Sequence, residues 1–328
     1  MSLAFDNLQT PFSLSLFAPQ SVYFMPYSYH SHSGQFCHHG YGQLEHVVQQ
    51  AIEKNFKVYG LTEHMPRFEQ KELYPEELDA QCTPDTLTTT FDAFVKEANR
   101  LRTKYNDAIE LLIGSEIEFI HPDYKAHVHE LNKRWQLDYV VGSLHHVGGI
   151  PIDYSPELYQ QALSALAQGD LTTLFERYYD EQWEMLQSVR PQVVGHFDLI
   201  RIFAPQQDAA VSQQSPTVWA KMERNIDLIV SYNGLFEVNS RAWKKGLKDA
   251  YPQRDIIQMI LAKGGKLTLS DDCHGPQDVG MHYDKLLAYL QELGINTIHF
   301  LAKEQGQLVM KQHDNILDDP FWSGINKS

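Results

Sequence analysis

The chain has 328 residues, 43% hydrophobic and 21% charged, and its 42 Asp+Glu against 27 Lys+Arg give a net charge of −15. That length suits one large core and does not require two domains, and the composition is that of an ordinary soluble globular protein. The acidic balance argues against a non-specific nucleic-acid binder, which needs a basic face, and no apolar run reaches the length of a membrane span.

Cys37, Cys82 and Cys273 are odd in number and widely spaced, unlike a disulfide framework. A cytoplasmic location is therefore expected. The first Lys or Arg is Lys54, so the basic start of a signal peptide is missing. Residues 1–24 read as an N-terminal extension, and 25–328 as a single domain.

Met25–His30 reads as a strand entering Tyr29-His-Ser-His-Ser33, a stretch that continues to His38-His39-Gly40. In a strand, residues i and i+2 share a face, so His30 and His32 put two imidazoles on one side. Gln43–Phe56 carries Leu44, Val47, Val48, Ala51 and Ile52 at helical spacing. Val58–His64 is a short apolar strand ending in Glu63-His64, and Pro66 stops it. Residues 66–84 read as a long polar loop, and Pro84–Tyr105 as a helix with a stripe of Leu87, Phe91, Phe94, Val95, Ala98 and Leu101.

Ile109–Phe119 is a third strand carrying Glu116 and Glu118, followed by a helix over Pro122–Trp135. Leu137–His146 is the fourth strand, ending in His145-His146, with helices at 155–168 and 171–189. Gln192–Leu199 closes with His196 and Asp198, and Arg201 lies just beyond. A helix at Pro216–Tyr232 leads to the strand Gly234–Arg241. A helix at Arg254–Lys263, stopped by Gly264-Gly265, leads to the strand Lys266–His274. His282–Leu293 is helical, and 296–301 and 307–312 form a final strand and a hairpin partner around Glu304-Gln-Gly306.

Seven β-α alternations predict a parallel sheet. Acids and histidines collect at the C-terminal end of nearly every strand, which is where an α/β barrel places its active site. Neither standard glycine-rich phosphate loop is present. His30-x-His32, His64, Glu116, His145, His196 and Asp272-x-His274 form one donor set, and mixed His and carboxylate ligation suits zinc, manganese or iron better than calcium or magnesium. Cys37 sits beside His38-His39 and Cys273 beside His274, either as thiolate ligands or as small apolar filler.

In Tyr29-His-Ser-His-Ser33 with His39-Gly40, Leu61-Thr-Glu-His64, Gly114-Ser-Glu116, Gly142-Ser-Leu-His145, Val194-Gly-His196 and Leu269-Ser-Asp-Asp-Cys-His274, the chain resembles the polymerase-and-histidinol-phosphatase (PHP) family of metal-dependent phosphoesterases. The likeness runs in order from about 27 to 300. It is nearest the histidinol-phosphate branch in Thr62–Arg67, Glu237–Ser240 and His274–Gly280. The resemblance implies a distorted (β/α)7 TIM-like barrel with three divalent transition-metal ions at the C-terminal ends of the strands. One ion would take His30, His32, Glu116 and Asp272. A second would share Glu116 and take His145 and His196, and a third would take His39, His64 and His274. His38 competes with His39, and Glu63 stands where it can orient a histidine.

The implied reaction is hydrolysis of a small phosphate ester, L-histidinol phosphate, with Glu116 and Asp272 central to the catalytic machinery. Arg67, Arg201 and Arg241 are the candidates for holding phosphate, and Asp198 and His146 for donating a proton to the leaving alcohol. Other small phosphomonoesters, nucleotides or phosphotyrosine remain alternative substrates. An amidohydrolase is a further alternative, disfavoured by Glu116 where such enzymes place a modified lysine. A non-catalytic metal-binding protein is disfavoured because every expected ligand is present.

Overall fold

The computed structural model describes residues 26–210 and 215–325. The N-terminal extension expected over residues 1–24 lies outside the described residues. The strands in chain order are β1 (Tyr27–Ser28), β2 (Val58–Leu61), β3 (Glu110–Glu118), β4 (Tyr139–Ser143), β5 (His146–Val147), β6 (Ile150–Pro151), β7 (Val193–Val194), β8 (Leu235–Asn239), β9 (Lys266–Ser270), β10 (Thr297–Glu304) and β11 (Gln307–Asp314). Seven of them form one parallel sheet in the order β1-β2-β3-β4-β7-β8-β9. Just past its ends, Ser31 bridges Cys273 in parallel, and the His32 amide donates to the Cys273 carbonyl at 2.7 Å. The sheet is thus a nearly closed α/β barrel of seven strands.

Parallel strands need crossovers, and the chain supplies helices with clear start signals. Thr83, Ser155, Asp170 and Ser215 accept amide hydrogen bonds as N-caps, and Pro84, Pro156 and Pro216 open three of the helices behind them. The helix Pro84–Lys104 buries Leu87, Phe91, Phe94, Ala98 and Leu101, the i, i+4, i+7, i+11, i+14 stripe of an amphipathic helix. The strands are covered on both faces, as β3 illustrates: eight of its nine residues are buried. Among the described residues no helix is long and apolar enough to cross a membrane.

β10 and β11 stand outside the barrel sheet as an antiparallel hairpin. Its two-residue turn, Gln305-Gly306, has both φ angles positive (51° and 80°), as a type I′ turn requires. The hairpin covers the N-terminal ends of the strands. Phe300 stacks on Tyr27 at 4.4 Å between ring centroids, the Leu301 amide donates to the Tyr29 hydroxyl at 2.8 Å, and the Lys303 amide donates to Glu110. The opposite rim is left open.

Three local expectations change. Regular pairing in β1 stops at Ser28, so His30 and His32 lie beyond the ladder. The loop 66–84 contains a 3₁₀ turn at Gln70–Glu72 and a helix at Pro75–Asp79, whose start is fixed by the Tyr74 amide donating to Glu77 at 2.9 Å. Five residues are too few to display helical periodicity. His146 opens a small hairpin with Ile150–Pro151, turning at Gly148-Gly149 with both φ angles positive.

Candidate metal centre

At the open rim, β3 carries Glu116 into the centre of a ring of five histidines from four segments. Its carboxylate is 1% exposed. Oε1 lies 3.1 Å from His30 Nε2, 3.2 Å from His145 Nε2 and 3.0 Å from His196 Nε2. Oε2 lies 3.3 Å from His32 Nε2 and 3.1 Å from His64 Nδ1. Asp272 Oδ1 completes one side, 3.7 Å from Nε2 of both His30 and His32.

Asp272 reaches this place by a route that the i, i+2 pattern does not describe. β9 ends at Ser270, and Asp272 has φ +45°, the left-handed region that Asp tolerates better than most residues. That reversal turns its carboxylate inward and lets His274 follow. The His274 Nδ1 meets the Asp272 carbonyl at 3.0 Å, leaving Nε2 for the cluster.

Behind the ring, carboxylates hold the far nitrogens. Glu237 faces His30 Nδ1 at 3.2 Å and Glu118 meets His145 Nδ1 at 3.0 Å, while Glu118 shares His64 Nδ1, at 3.1 Å, with Glu116. Glu63 lies 3.6 Å from His32 Nδ1 while accepting from the Ser33 amide at 2.8 Å. Glu76 takes His39 Nδ1 at 3.2 Å. A carboxylate on one imidazole nitrogen fixes the tautomer and raises the basicity of the other. Sequence reasoning foresaw this role for Glu63 alone. Glu118 was visible as Glu116 plus two on the same strand face, but the partners of Glu237 come from other strands.

His39 rather than His38 joins the cluster. His39 Nε2 is 3.3 Å from His64 Nε2, whereas His38 Nε2 contacts Cys82 Sγ at 3.2 Å. Gly40 makes the placement feasible, because a Cβ there would sit 2.9 Å from the backbone of Ser33 and Gly34. Cys37 is buried with its sulfur among His39 and His64. Burial pushes its thiol up, yet hydrogen bonds with those two histidines hold it well below the usual thiol range. Cys273 is filler: its sulfur meets the Tyr59 hydroxyl at 3.2 Å, away from the ring.

Electrostatics make the centre a seat for cations. Burial opposes protonation of His30, but Asp272, Glu116 and Glu237 outweigh it and hold its pKa well above the imidazole range. Burial pushes Glu116 up, yet His30, His145 and His64 keep it well below the usual carboxylate range. The buried Nε2 atoms of His30 and His32 face carboxylates without making a hydrogen bond. Donors around one tetrahedral ion with bonds of about 2.0–2.2 Å stand about 3.3–3.6 Å apart. The spacings around Glu116 and between His39 and His64 are close to that, so these residues fit transition-metal ions.

A cavity of about 290 Å³ opens onto the ring, reaching His39, His64, Glu116, His145, His196, Asp272 and His274. Of the three candidate arginines only Arg241 lines it, joined by Lys245, which sequence reasoning missed. The two lie four residues apart at the short helix Arg241–Lys244, a spacing that puts side chains on one face. Tyr74, Glu76, Asp153, Tyr154 and Tyr251 form other walls, and Asp153 Oδ1 is buried without a hydrogen-bond partner.

Arg201 and Asp198 are absent from the cavity wall. Arg201 is 2% exposed, donates to Asp198 at 2.7 Å and to the Ala250 carbonyl at 2.6 Å, and lies over the Tyr251 ring. Asp198 also accepts the Gln253 amide at 3.0 Å, so the pair fastens the segment that presents Tyr251. Arg67 is likewise buried, paired with Glu77 and 3.6 Å from Glu118. His146 is buried beside Tyr74, 5.4 Å between ring centroids, and does not line the cavity; burial lowers its pKa to about 4.

The PHP domain family matches residues 28–241. The chain is 45% identical to a Schizosaccharomyces pombe protein named as a probable histidinol-phosphatase, across 91% of this chain and 96% of that protein. It is 34% identical to the histidinol-phosphatase of Saccharomyces cerevisiae, across 91% of this chain and 100% of that one. A solved histidinol phosphate phosphatase from Lactococcus lactis, in complex with zinc, L-histidinol and phosphate, shares the fold. Its TM-score is 0.63 at 17% identity, covering 86% of this chain and 98% of that chain.

Proposed function

We propose, from the premise that this chain belongs to the PHP-domain family, that it is a metal-dependent phosphomonoesterase that hydrolyses L-histidinol phosphate to L-histidinol and phosphate, a step of histidine biosynthesis. The observation that carries this reading is the Glu116 carboxylate, with five imidazole nitrogens within 3.3 Å of its two oxygens. Five buried carboxylates, Glu63, Glu116, Glu118, Glu237 and Asp272, converge there, and buried negative charge of that density calls for cations.

In this reading three ions would be held: one by His30, His32, Glu116 and Asp272, one by Glu116, His145 and His196, and one by His39 and His64 with His274 beside them. When bound, such ions acidify a water for attack on phosphorus and offset charge on the phosphate oxygens. Zinc, iron and manganese all suit the donors. Glu116, whose Oε1 lies among His30, His145 and His196, would be shared by the two inner positions. Glu237, Glu118, Glu63 and Glu76 keep the imidazoles turned so that the correct nitrogen faces inward.

Arg241 and Lys245 hold the phosphate from the cavity wall. Arg241 is braced through its Nη1 on the Asp272 carbonyl at 3.0 Å, which ties phosphate binding to the segment carrying Asp272. Asp153, with its free carboxylate oxygen, holds the cationic amine at the other end of the substrate. Cations and carboxylates within one cavity suit a molecule that carries both a phosphate and an ammonium group. The unpaired state of all three cysteines suits a reducing cytoplasm.

The test is turnover of L-histidinol phosphate by protein stripped of metal and reloaded with zinc, manganese or iron separately. Activity that returns with metal, and is lost in folded His30→Ala and Asp272→Ala variants, is the expected result. Full activity in stripped protein or in those variants would remove the reading.

A further inference from the structure

We infer that Cys37 ligates, as a thiolate, the outer cation held by His39 and His64. The inference rests on the reading that these histidines hold a metal, and it adds a sulfur donor that the histidine-carboxylate set does not contain. One donor atom from each of Cys37, His39 and His64 lies within 4.8 Å of the other two. His39 Nε2 and His64 Nε2 stand 3.3 Å apart, the edge of a tetrahedron about one ion. Glu76 occupies His39 Nδ1, so the nitrogen that faces His64 is free to bind.

Space and chain geometry agree. A second, small cavity of about 20 Å³ is lined by Cys37, His39, His64, Glu63, Arg67 and Glu76, among others, and about 10–15 Å³ is enough for a water-sized occupant. Cys37 is held by a tight turn, its amide donating to the Ser33 carbonyl at 2.9 Å and its carbonyl accepting the Gly40 amide at 3.0 Å. Cys37 is 6% exposed and does not line the substrate cavity, whereas His39 and His64 line both cavities. The thiolate therefore approaches the ion from the side away from substrate. Cys82 offers a contrast, its sulfur contacting His38 outside this cluster.

Ligation releases the thiol proton to solvent, since the thiolate is the binding form. A soft sulfur donor also makes the outer position selective. It favours zinc or iron(II) over manganese, which prefers oxygen ligands. The inner positions, built from imidazole and carboxylate, lack that bias.

The experiment loads the full-length protein with cobalt(II) and records its absorption. Thiolate ligation gives an intense near-ultraviolet sulfur-to-cobalt charge-transfer band that imidazole and carboxylate do not give. The expected result is a band in wild type and in Cys82→Ser, and its loss in Cys37→Ser with one bound ion fewer. Cobalt bound without the band in wild type, or a band that persists in Cys37→Ser, overturns the inference while leaving the metal centre intact. Failure to bind cobalt at all overturns both. The wild-type spectrum needs no variant, so a Cys37→Ser chain that misfolds does not protect the inference.

Discussion

Single side chains decide which imidazole nitrogen faces the centre. Glu237 contributes no donor to the inner ring, yet it accepts the His196 amide at 2.6 Å, binds Asn239 at 2.8 Å and faces His30 Nδ1. Glu237→Gln keeps the shape and removes the charge behind His30. Metal affinity is expected to fall about 10–100-fold with an unchanged circular-dichroism spectrum, and equal affinity in a competition titration would contradict the role. Asp153→Asn addresses the other end of the cavity. A hydrogen bond to a charged group contributes about 1.5–3 kcal/mol, so KM for L-histidinol phosphate should rise about 10–100-fold, while KM for an uncharged aryl phosphate stays put. Equal effects on both esters would deny Asp153 the amine. The two residues differ in how readable they are. His30-x-His32 is a local spacing and can be read from the chain. Asp153 lies in a stretch without periodicity, and only the fold brings it to the same cavity as Arg241. Arg201 misled for the complementary reason: an arginine just past a strand end looks free until the carbonyls of Asp249 and Ala250 are seen around it.

At the scale of elements, the seven alternations were legible because long helices and apolar strands carry strong periodic signals. The rim was less legible. Tyr27–Ser28 and Val193–Val194 are two-residue ladders, and the segments that bear the histidines begin where regular pairing stops. The left-handed turn at Asp272 and the Gly148-Gly149 hairpin have no signature beyond single residues. Glycine matters inside the barrel for space. A Cβ on Gly60 would collide with the Tyr139 hydroxyl and sit 2.9 Å from Tyr29 Cα. That hydroxyl donates to the Tyr29 carbonyl at 2.8 Å, next to His30. Gly60→Ala is expected to cost about 1–3 kcal/mol of stability through overpacking and to weaken metal binding with it. A urea midpoint unchanged from wild type would show that the barrel has room there.

At the scale of the whole molecule, the barrel concentrates buried carboxylates at one rim of a chain whose net charge is −15. Bound cations then act as ligands of the folded state alone. At a hundredfold excess over Kd each ion adds about 2.7 kcal/mol of stability. Chelation should therefore lower Tm, and re-addition of zinc should restore it. A Tm indifferent to chelation in protein verified to have lost its metal would contradict a rim held together by cations.

The central claim is that this rim hydrolyses a phosphate ester that also carries a cation. Its most direct test is kcat/KM for L-histidinol phosphate against an uncharged aryl phosphate, with the same metal-reloaded protein. A preference of at least about 10-fold for L-histidinol phosphate is expected, corresponding to about 1.4 kcal/mol or more of selective binding in the transition state. Equal values for the two esters would leave a metal-dependent phosphoesterase and contradict the assigned substrate.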